Sequence, residues 1–370
     1  MVNLVLLMSF FYSNARLRCR VGLIIVTITL LILIASKKIL SITNGSNMNT
    51  NNNYFLDKMN ARTKRIREVC SSNVCYAGKC HSLNAQHIYW LRNENIAYCP
   101  IFKSATSTWR NRLITLLNQT YSGKVEMIKK DSNKRIRVHD KLIKLGATNP
   151  KNHDFVNYIN GLPNIRNLTA FMVVRHPFER LVSAYRDKLE RNNLEEPFYY
   201  NRFGKYFVEK YRKAAIKALG ESYFSMENNF GTPMKVLNDR RPNADLPSFW
   251  EFSQAVIEHY KIDEHWAPIN EYCSVCNEIS MKAFRYILKF EKLEDEEERF
   301  LKHVRWNLNE EKLESKLNVN QPDDISGKEL ALLYFSELSE KQIRALYRVY
   351  ELDFLLFDYT FTIGNIHLPP

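Results

Sequence analysis

Two clusters in this sequence have residue types and spacing suited to chemistry. The first is Lys103-Ser104-Ala105-Thr106-Ser107-Thr108, an ammonium followed by hydroxyls. It lies between an apolar strand candidate, Ile96–Ile101, and a helical stripe of Trp109, Leu113 and Leu116. A turn of that kind opening a helix offers backbone N–H groups, hydroxyls and a cation, which together suit a phosphate. It lacks the GxxxxGK[ST] pattern and is not a Walker A loop. The second cluster begins at Arg175, which closes the apolar run Ala170–Val174. Pro177 then suits the first turn of a helix on which Phe178, Leu181, Val182, Tyr185 and Leu189 make one apolar face. Ser183 falls away from that face, so a guanidinium and a hydroxyl point elsewhere than the core. Alone, either cluster reads equally well as a solvated strand end or a capped helix. Two strand–turn–helix units of the same kind strengthen the phosphate-binding reading of each.

The elements that position these clusters need a sizeable domain, and 370 residues supply it. With 45% hydrophobic and 25% charged residues the chain is not mostly disordered. A net charge of +13, spread along the chain, predicts attraction to an anion without choosing among nucleotide, nucleic acid, acidic polysaccharide and membrane surface. The run Lys129, Lys130, Lys134, Arg135 and Arg137 suits an acidic glycan or a solvated face.

Val21 to Ser36 is uncharged and apolar, about 24 Å long as a helix, and fits a thin early-secretory bilayer. A cleaved signal peptide ending near Ala35 is the alternative, and either delivers the rest of the chain to a lumen. The organisation expected is a cytoplasmic segment 1–20, a signal-anchor 21–36, a stem 37–69 and a folded domain 70–370. Ser41–Asn53 reads as flexible, and Lys58–Arg67 as its solvated continuation. Asn44, Asn118 and Asn167 head glycosylation triplets. Of seven cysteines, Cys19 lies before the span; Cys70, Cys75, Cys80, Cys99, Cys273 and Cys276 form an even set able to pair as disulfides. A zinc site on Cys273-x-x-Cys276 competes with that pairing. The acidic stretch Glu291–Glu298 reads as an amphipathic helix with a charged outer face.

Tyr98 to Trp109 resembles the 5′-phosphosulfate loop of Golgi carbohydrate sulfotransferases, in particular the group that includes the HNK-1 and chondroitin/dermatan 4-O-sulfotransferases. Val174 to Arg186 (VRHPFERLVSAYR) is similar to that group's 3′-phosphate motif. His265-Trp266 with Cys273-x-x-Cys276, then Lys289–Leu293, match a third block. Leu346-Tyr347-x-x-Tyr350-x-x-Asp353-Phe354 resembles the closing helix, so the resemblance runs from Cys99 to Tyr359. The first loop departs from the pattern: Ile101 and Phe102 separate Pro100 from Lys103.

The resemblance implies an α/β, three-layer, P-loop-NTPase-like sulfotransferase fold with a mainly parallel central sheet, preceded by a single transmembrane helix. It implies sulfuryl transfer from 3′-phosphoadenosine 5′-phosphosulfate to a glycan hydroxyl, on a chondroitin- or dermatan-like chain or an N-glycan-terminal sugar. Lys103 would stabilise the leaving oxygen. Ser104, Ala105, Thr106, Ser107 and Thr108 would hold the 5′ phosphate, and Arg175 with Ser183 the 3′ phosphate; no metal is called for. His139, in His139-Asp-Lys-Leu142-Ile-Lys-Leu145, is the first candidate for general base, followed by His153 and His265. The partners implied are an acidic glycan or proteoglycan and the Golgi membrane, with no nucleic acid, and a homodimer is left open. A catalytically silent luminal glycan-binding protein that keeps the fold is the alternative.

Overall fold

The structure, a computed structural model, describes residues 53–72, 83–120, 148–149, 151–190, 198–220, 246–306 and 325–370. The chain divides into Met1–Asp57, of which 53–57 are described and helical, and Lys58–Pro370, to which everything below belongs. At the centre of this second unit is a four-stranded sheet in the order β1 (Tyr89–Leu91), β2 (Ile96–Cys99), β3 (Thr169–Val174), β4 (Tyr286–Lys289). β2, β3 and β4 run parallel, with Cys99 opposite Met172 and Val174 opposite Lys289. β1 pairs antiparallel with β2 at one edge. A separate hairpin joins β5 (Phe361–Ile363) to β6 (Ile366–Leu368).

β3 reads as an unbroken apolar run because both its faces are covered, as in parallel sheets generally. Phe171 stacks on Tyr98 and meets Trp109 and Phe300, with ring centroids 4.7, 4.7 and 5.1 Å away. Met172 and Val174 point to the opposite face, into the core that holds Phe178 and Leu181.

The helices are α1 (58–70 within this unit), α2 (Thr106–Thr120), α3 (Asn152–Gly161), α4 (Pro177–Tyr185), α5 (Lys205–Leu219), α6 (Phe249–His259), α7 (Ile269–Cys273), α8 (Glu278–Ala283), α9 (Leu293–His303), α10 (Gly327–Phe335) and α11 (Glu340–Phe357). α4 starts where Pro177 predicts it. The His176 ring caps it, accepting from the N–H groups of Phe178 and Glu179 at 3.2 and 3.4 Å. Its apolar face is buried as the periodicity requires, from Phe178 through Leu189 in the π-helical turn that follows.

Two expectations are corrected. Lys58–Arg67 is not a solvated stem: it belongs to α1, whose Met59, Thr63, Ile66 and Cys70 are buried. Arg62 donates to both carboxylate oxygens of Glu296 at 2.7 Å and to the carbonyl of Ile287 at 2.5 Å, tying α1 to β4 and α9. For the same reason the acidic stretch does not keep all its charge outside. Glu296 is fully buried against Arg62 and the N–H of Lys289, while Glu291 stays exposed yet accepts from the N–H of His176. Burial of such a carboxylate is tolerated because each oxygen meets a charged or backbone donor.

Among the described residues no helix is long and apolar enough to cross a membrane; the expected span, Val21–Ser36, lies outside them.

Candidate active site

The carboxyl ends of three adjacent parallel strands gather the motifs. β2 runs out at Cys99 into the Lys103 loop, β3 at Val174 into Arg175, and β4 at Lys289 into Phe290 and Glu291. In open α/β sheets this edge is where ligands bind.

The Lys103 loop is tightly wound. Ser104 N–H donates to the Ile101 carbonyl at 3.2 Å, and the Thr106 hydroxyl to the same carbonyl at 2.5 Å. Lys103 and Ala105 both take left-handed backbone angles, φ 67° and 59°, which cost a non-glycine residue about 1 kcal/mol or more each. α2 then begins, its first bond running from Trp109 N–H to the Ala105 carbonyl. The N–H groups of Thr106, Ser107 and Thr108 therefore precede the helical ladder and sit at its positive end. The Thr106 hydroxyl is committed to the loop. The Ser104 hydroxyl is fully buried and, among the described residues, has no hydrogen-bond partner.

Lys103 and Arg175 share one site. An Arg175 Nη1–H donates to the carbonyl of Lys103 at 3.1 Å. Arg175 is 6% exposed, lies over the Phe290 ring at 4.4 Å, and has a buried Nε–H with no hydrogen-bond partner among the described residues. The Lys103 ammonium is 3.2 Å from Asp187, which also pairs with Lys188 at 3.0 Å. Burial lowers Lys103 below the ordinary lysine range against the pull of Asp187. Burial pushes Asp187 upward, but Lys103 and Lys188 outweigh it and hold the carboxyl below its usual value. Ser183 is half-buried on α4, one turn beyond Glu179. Two buried donors without hydrogen-bond partners among the described residues, at the end of a parallel sheet, fit the phosphate groups of the implied donor, since natural proteins rarely leave such groups without one.

The three histidines part company. His139 lies outside the described residues, as does the basic run 129–137. The His153 side chain is 69% exposed at the start of α3 and pairs with its neighbour Asp154. His265 is buried in the wall beside the loop, its ring 4.4 Å from that of Phe102. Its Nδ1 lies 2.7 Å from Asp263 Oδ1 and 3.1 Å from the Tyr199 hydroxyl. The shorter contact places the proton on Nδ1, donated to Asp263, and leaves Nε2 with its lone pair. Burial, with Lys188 and Lys103 nearby, lowers His265 despite Asp263, which favours the neutral ring.

Several residues that hold the site stood in the sequence only as members of the matched blocks, with no role assigned to them. Arg180, fully buried, donates to the carbonyls of His265 and Ala267 at 3.1 and 2.5 Å. Tyr350 donates to the Trp266 carbonyl at 2.6 Å, and Asp353 accepts from the N–H groups of Ile269 and Asn270 at 2.7 and 3.1 Å. The closing helix thus grips the segment that carries His265. The available signal was a charged residue on an otherwise apolar helical stripe.

Disulfides Cys99–Cys273 and Cys70–Cys276 fasten the end of β2 and the end of α1 to the α7 region. That overturns the zinc alternative, because both cysteines of the C-x-x-C pair are oxidised; Cys75 and Cys80 lie outside the described residues.

Comparison with known proteins agrees with this arrangement. The family model described as the sulfotransferase family matches residues 86–360. The chain is similar to human carbohydrate sulfotransferase 9, 25% identical over 81% of this chain and 59% of that protein. It is also similar to Xenopus laevis carbohydrate sulfotransferase 10, 27% identical over 80% of this chain and 75% of that one. Danio rerio carbohydrate sulfotransferase 11 is 25% identical over 81% and 75%. The matched chain spans less than two thirds of human carbohydrate sulfotransferases 9 and 8, 59% and 65% of their lengths. No solved structure matches.

Proposed function

Since the chain belongs to the sulfotransferase family, we propose that it transfers a sulfuryl group from 3′-phosphoadenosine 5′-phosphosulfate to a glycan hydroxyl. The single observation that carries this reading is the Arg175 guanidinium resting on the carbonyl of Lys103. It supports the reading because it joins the Lys103 turn and the Arg175 turn at one sheet edge.

In this reading Ser104, Ala105, Thr106, Ser107 and Thr108 hold the 5′ phosphate, chiefly through the Ser104 hydroxyl and the first N–H groups of α2. Arg175 and Ser183 hold the 3′ phosphate. When bound, the donor supplies an activated sulfuryl group whose departure builds negative charge on a bridging oxygen. Lys103 meets that charge with an ammonium already desolvated by the site, where a fixed cation acts more strongly than in water. Asp187 keeps Lys103 oriented beside the loop. A sugar hydroxyl needs a base, and His139 is proposed for it. His265 is a second reading for the same role, favoured by its neutral ring, its Asp263 partner and its contact with Phe102 next to Lys103.

The surrounding assignment follows from the same family. The fold is read as three-layered, with the acceptor an acidic glycan or proteoglycan. Residues 21–36 would anchor a type II Golgi membrane protein with its 70–370 region luminal, now extended to include α1. A silent glycan-binding relative is disfavoured by the presence of Lys103, Arg175 and Ser183 together.

The test incubates the purified chain with labelled donor and desulfated chondroitin, dermatan and glucuronyl-terminated acceptors. Transfer to at least one acceptor is expected, with a loss of about 100-fold or more in Lys103→Ala. No label on any acceptor, and no difference between parent and variant, would remove the enzyme reading.

A further inference from the structure

The carboxylates around Arg175 pose a problem in charge. Glu179 Oε2 lies 3.8 Å from Arg175 Nε, and its side chain is 11% exposed. Glu291 also acts on Arg175, so one guanidinium faces two carboxylates before any ligand arrives. Glu179 is also one helical turn before Ser183, on the same side of α4, where a 3′ phosphate would sit between Arg175 and Ser183. A carboxylate and a phosphate dianion in that space would repel strongly in a desolvated site.

The two carboxyls are not equivalent. Glu291 accepts from the N–H of His176 at 2.6 Å and from the Tyr359 hydroxyl at 3.0 Å, so both its oxygens are already engaged as acceptors. Among the described residues Glu179 has the ion pair with Arg175 and no hydrogen bond to its side chain from a backbone or hydroxyl donor. We infer that Glu179 takes up a proton when the 3′ phosphate binds and then donates a hydrogen bond to a phosphate oxygen, so that donor binding is coupled to proton uptake. The inference rests on the Arg175–Ser183 assignment proposed above.

The groups facing Glu179 agree with it. Burial raises its carboxyl to about 7, with Glu291 acting the same way and Arg175 and Lys328 opposing. Tyr359 is the remaining titratable neighbour, itself raised far out of range by burial, and the neutral His176 ring caps the backbone beside it. Glu179 therefore lies close to the point where a nearby anion tips it to the acid form.

The experiment is calorimetry of 3′-phosphoadenosine 5′-phosphate binding to the full chain at pH 7.5, in buffers of different ionisation enthalpy. The ligand phosphate, with a second pKa near 6, is already a dianion at this pH, so protons taken up go to the protein. Uptake of roughly three quarters of a proton is expected, with affinity weakening towards tenfold per pH unit above about pH 7.5. Glu179→Gln, which keeps the shape of the neutral acid, should bind at least as tightly at pH 8 and lose both the uptake and the slope. Equal uptake and slope in parent and variant, with binding still selective for the 3′ phosphate and weakened by Arg175→Ala, would overturn the role of Glu179 alone. Equal binding of adenosine 5′-phosphosulfate, which lacks the 3′ phosphate, together with an inert Arg175→Ala, would overturn the assignment of the site itself. Should Glu179→Gln fail to fold, the parent decides: no proton uptake at pH 7.5 refutes the inference.

Discussion

His176 gives a quantitative forecast of how the domain responds to acid. It is 8% exposed, and both ring nitrogens are committed. Nδ1 accepts from the N–H groups of Phe178 and Glu179, while Nε2–H donates to the carbonyl of Thr360 at 3.1 Å. Phe354, Tyr359 and Phe361 ring it at 5.3, 5.3 and 5.7 Å between centroids. A proton on Nδ1 would turn an acceptor into a donor aimed at the positive end of α4. Burial, aided by Arg175, Lys289 and Lys328 against the Thr360 bond, pushes the ring from 6.5 down to about 4.

Between pH 6.5 and 4 the unfolded chain therefore binds the proton and the folded chain does not, so this site's stability is present above pH 6.5 and is lost as pH falls. At about 1.4 kcal/mol per pKa unit the full loss is about 3 kcal/mol, of which about 2 kcal/mol falls between pH 7 and pH 5. Urea unfolding of the parent and of His176→Asn, at pH 7, 6 and 5 without reductant, measures it. Asparagine retains an oxygen that can cap α4 but does not titrate. The variant should be the weaker protein at pH 7 yet lose about 2 kcal/mol less on going to pH 5. His87, His265 and His303, also lowered chiefly by burial, contribute the same slope to both proteins and cancel. Parallel pH profiles for the two proteins would refute the reasoning.

Other perturbations test the bracing of the site. Asp187→Asn, read by steady-state kinetics, should lower kcat roughly 10-fold or more while the Kd for the donor nucleotide moves little, because Lys103 loses its nearest carboxylate. Asp353→Ala strands the N–H groups of Ile269 and Asn270 and leaves buried Arg180 without its nearby carboxylate, and should cost about 3–5 kcal/mol by urea unfolding. Replacing Cys99 and Cys273 together by serine opens a link across a sequence separation of 174 residues and should lower stability by about 2–5 kcal/mol, seen as an earlier unfolding midpoint without reductant.

How much of this was legible depended on the range of the interaction. β3 and α4 were readable because an apolar run, a proline and a helical stripe are local signals: β3 ends at Val174 and α4 starts at Pro177 as expected, although a π-helical turn takes over from Arg186 before Leu189. The Lys103 loop was readable for the same reason, although its strand stops at Cys99 and Leu117 replaces Leu116 as the buried leucine of α2. Arg62 and Glu296 were not readable: 234 residues apart, each looks like surface charge until the fold brings them together. The same holds for α1, whose basic residues hid the inward spacing of Met59, Thr63, Ile66 and Cys70. Cysteine connectivity is combinatorial, so no local pattern could select Cys70–Cys276 and Cys99–Cys273.

The carboxylates are shared unevenly between the two turns of the site. Around Lys103, two ammonium groups share Asp187, so this turn keeps a surplus positive charge that attracts an anion at any pH where lysine is protonated. Around Arg175, Glu179 and Glu291 face the guanidinium, with Lys328 and Lys289 also acting on them, so an incoming anion meets two carboxylates there. On the proposed reading, the 5′ phosphosulfate is drawn in by fixed charge, whereas accommodation of the 3′ phosphate depends on pH. The same pairing offsets part of the mutual repulsion of Lys103, Lys188 and Arg175 in the free protein, through Asp187 on one side and Glu179 and Glu291 on the other. Selectivity for a nucleotide with a 3′ phosphate then comes from the half that resists anions most, because only a group able to bind Arg175 and Ser183 together overcomes that resistance.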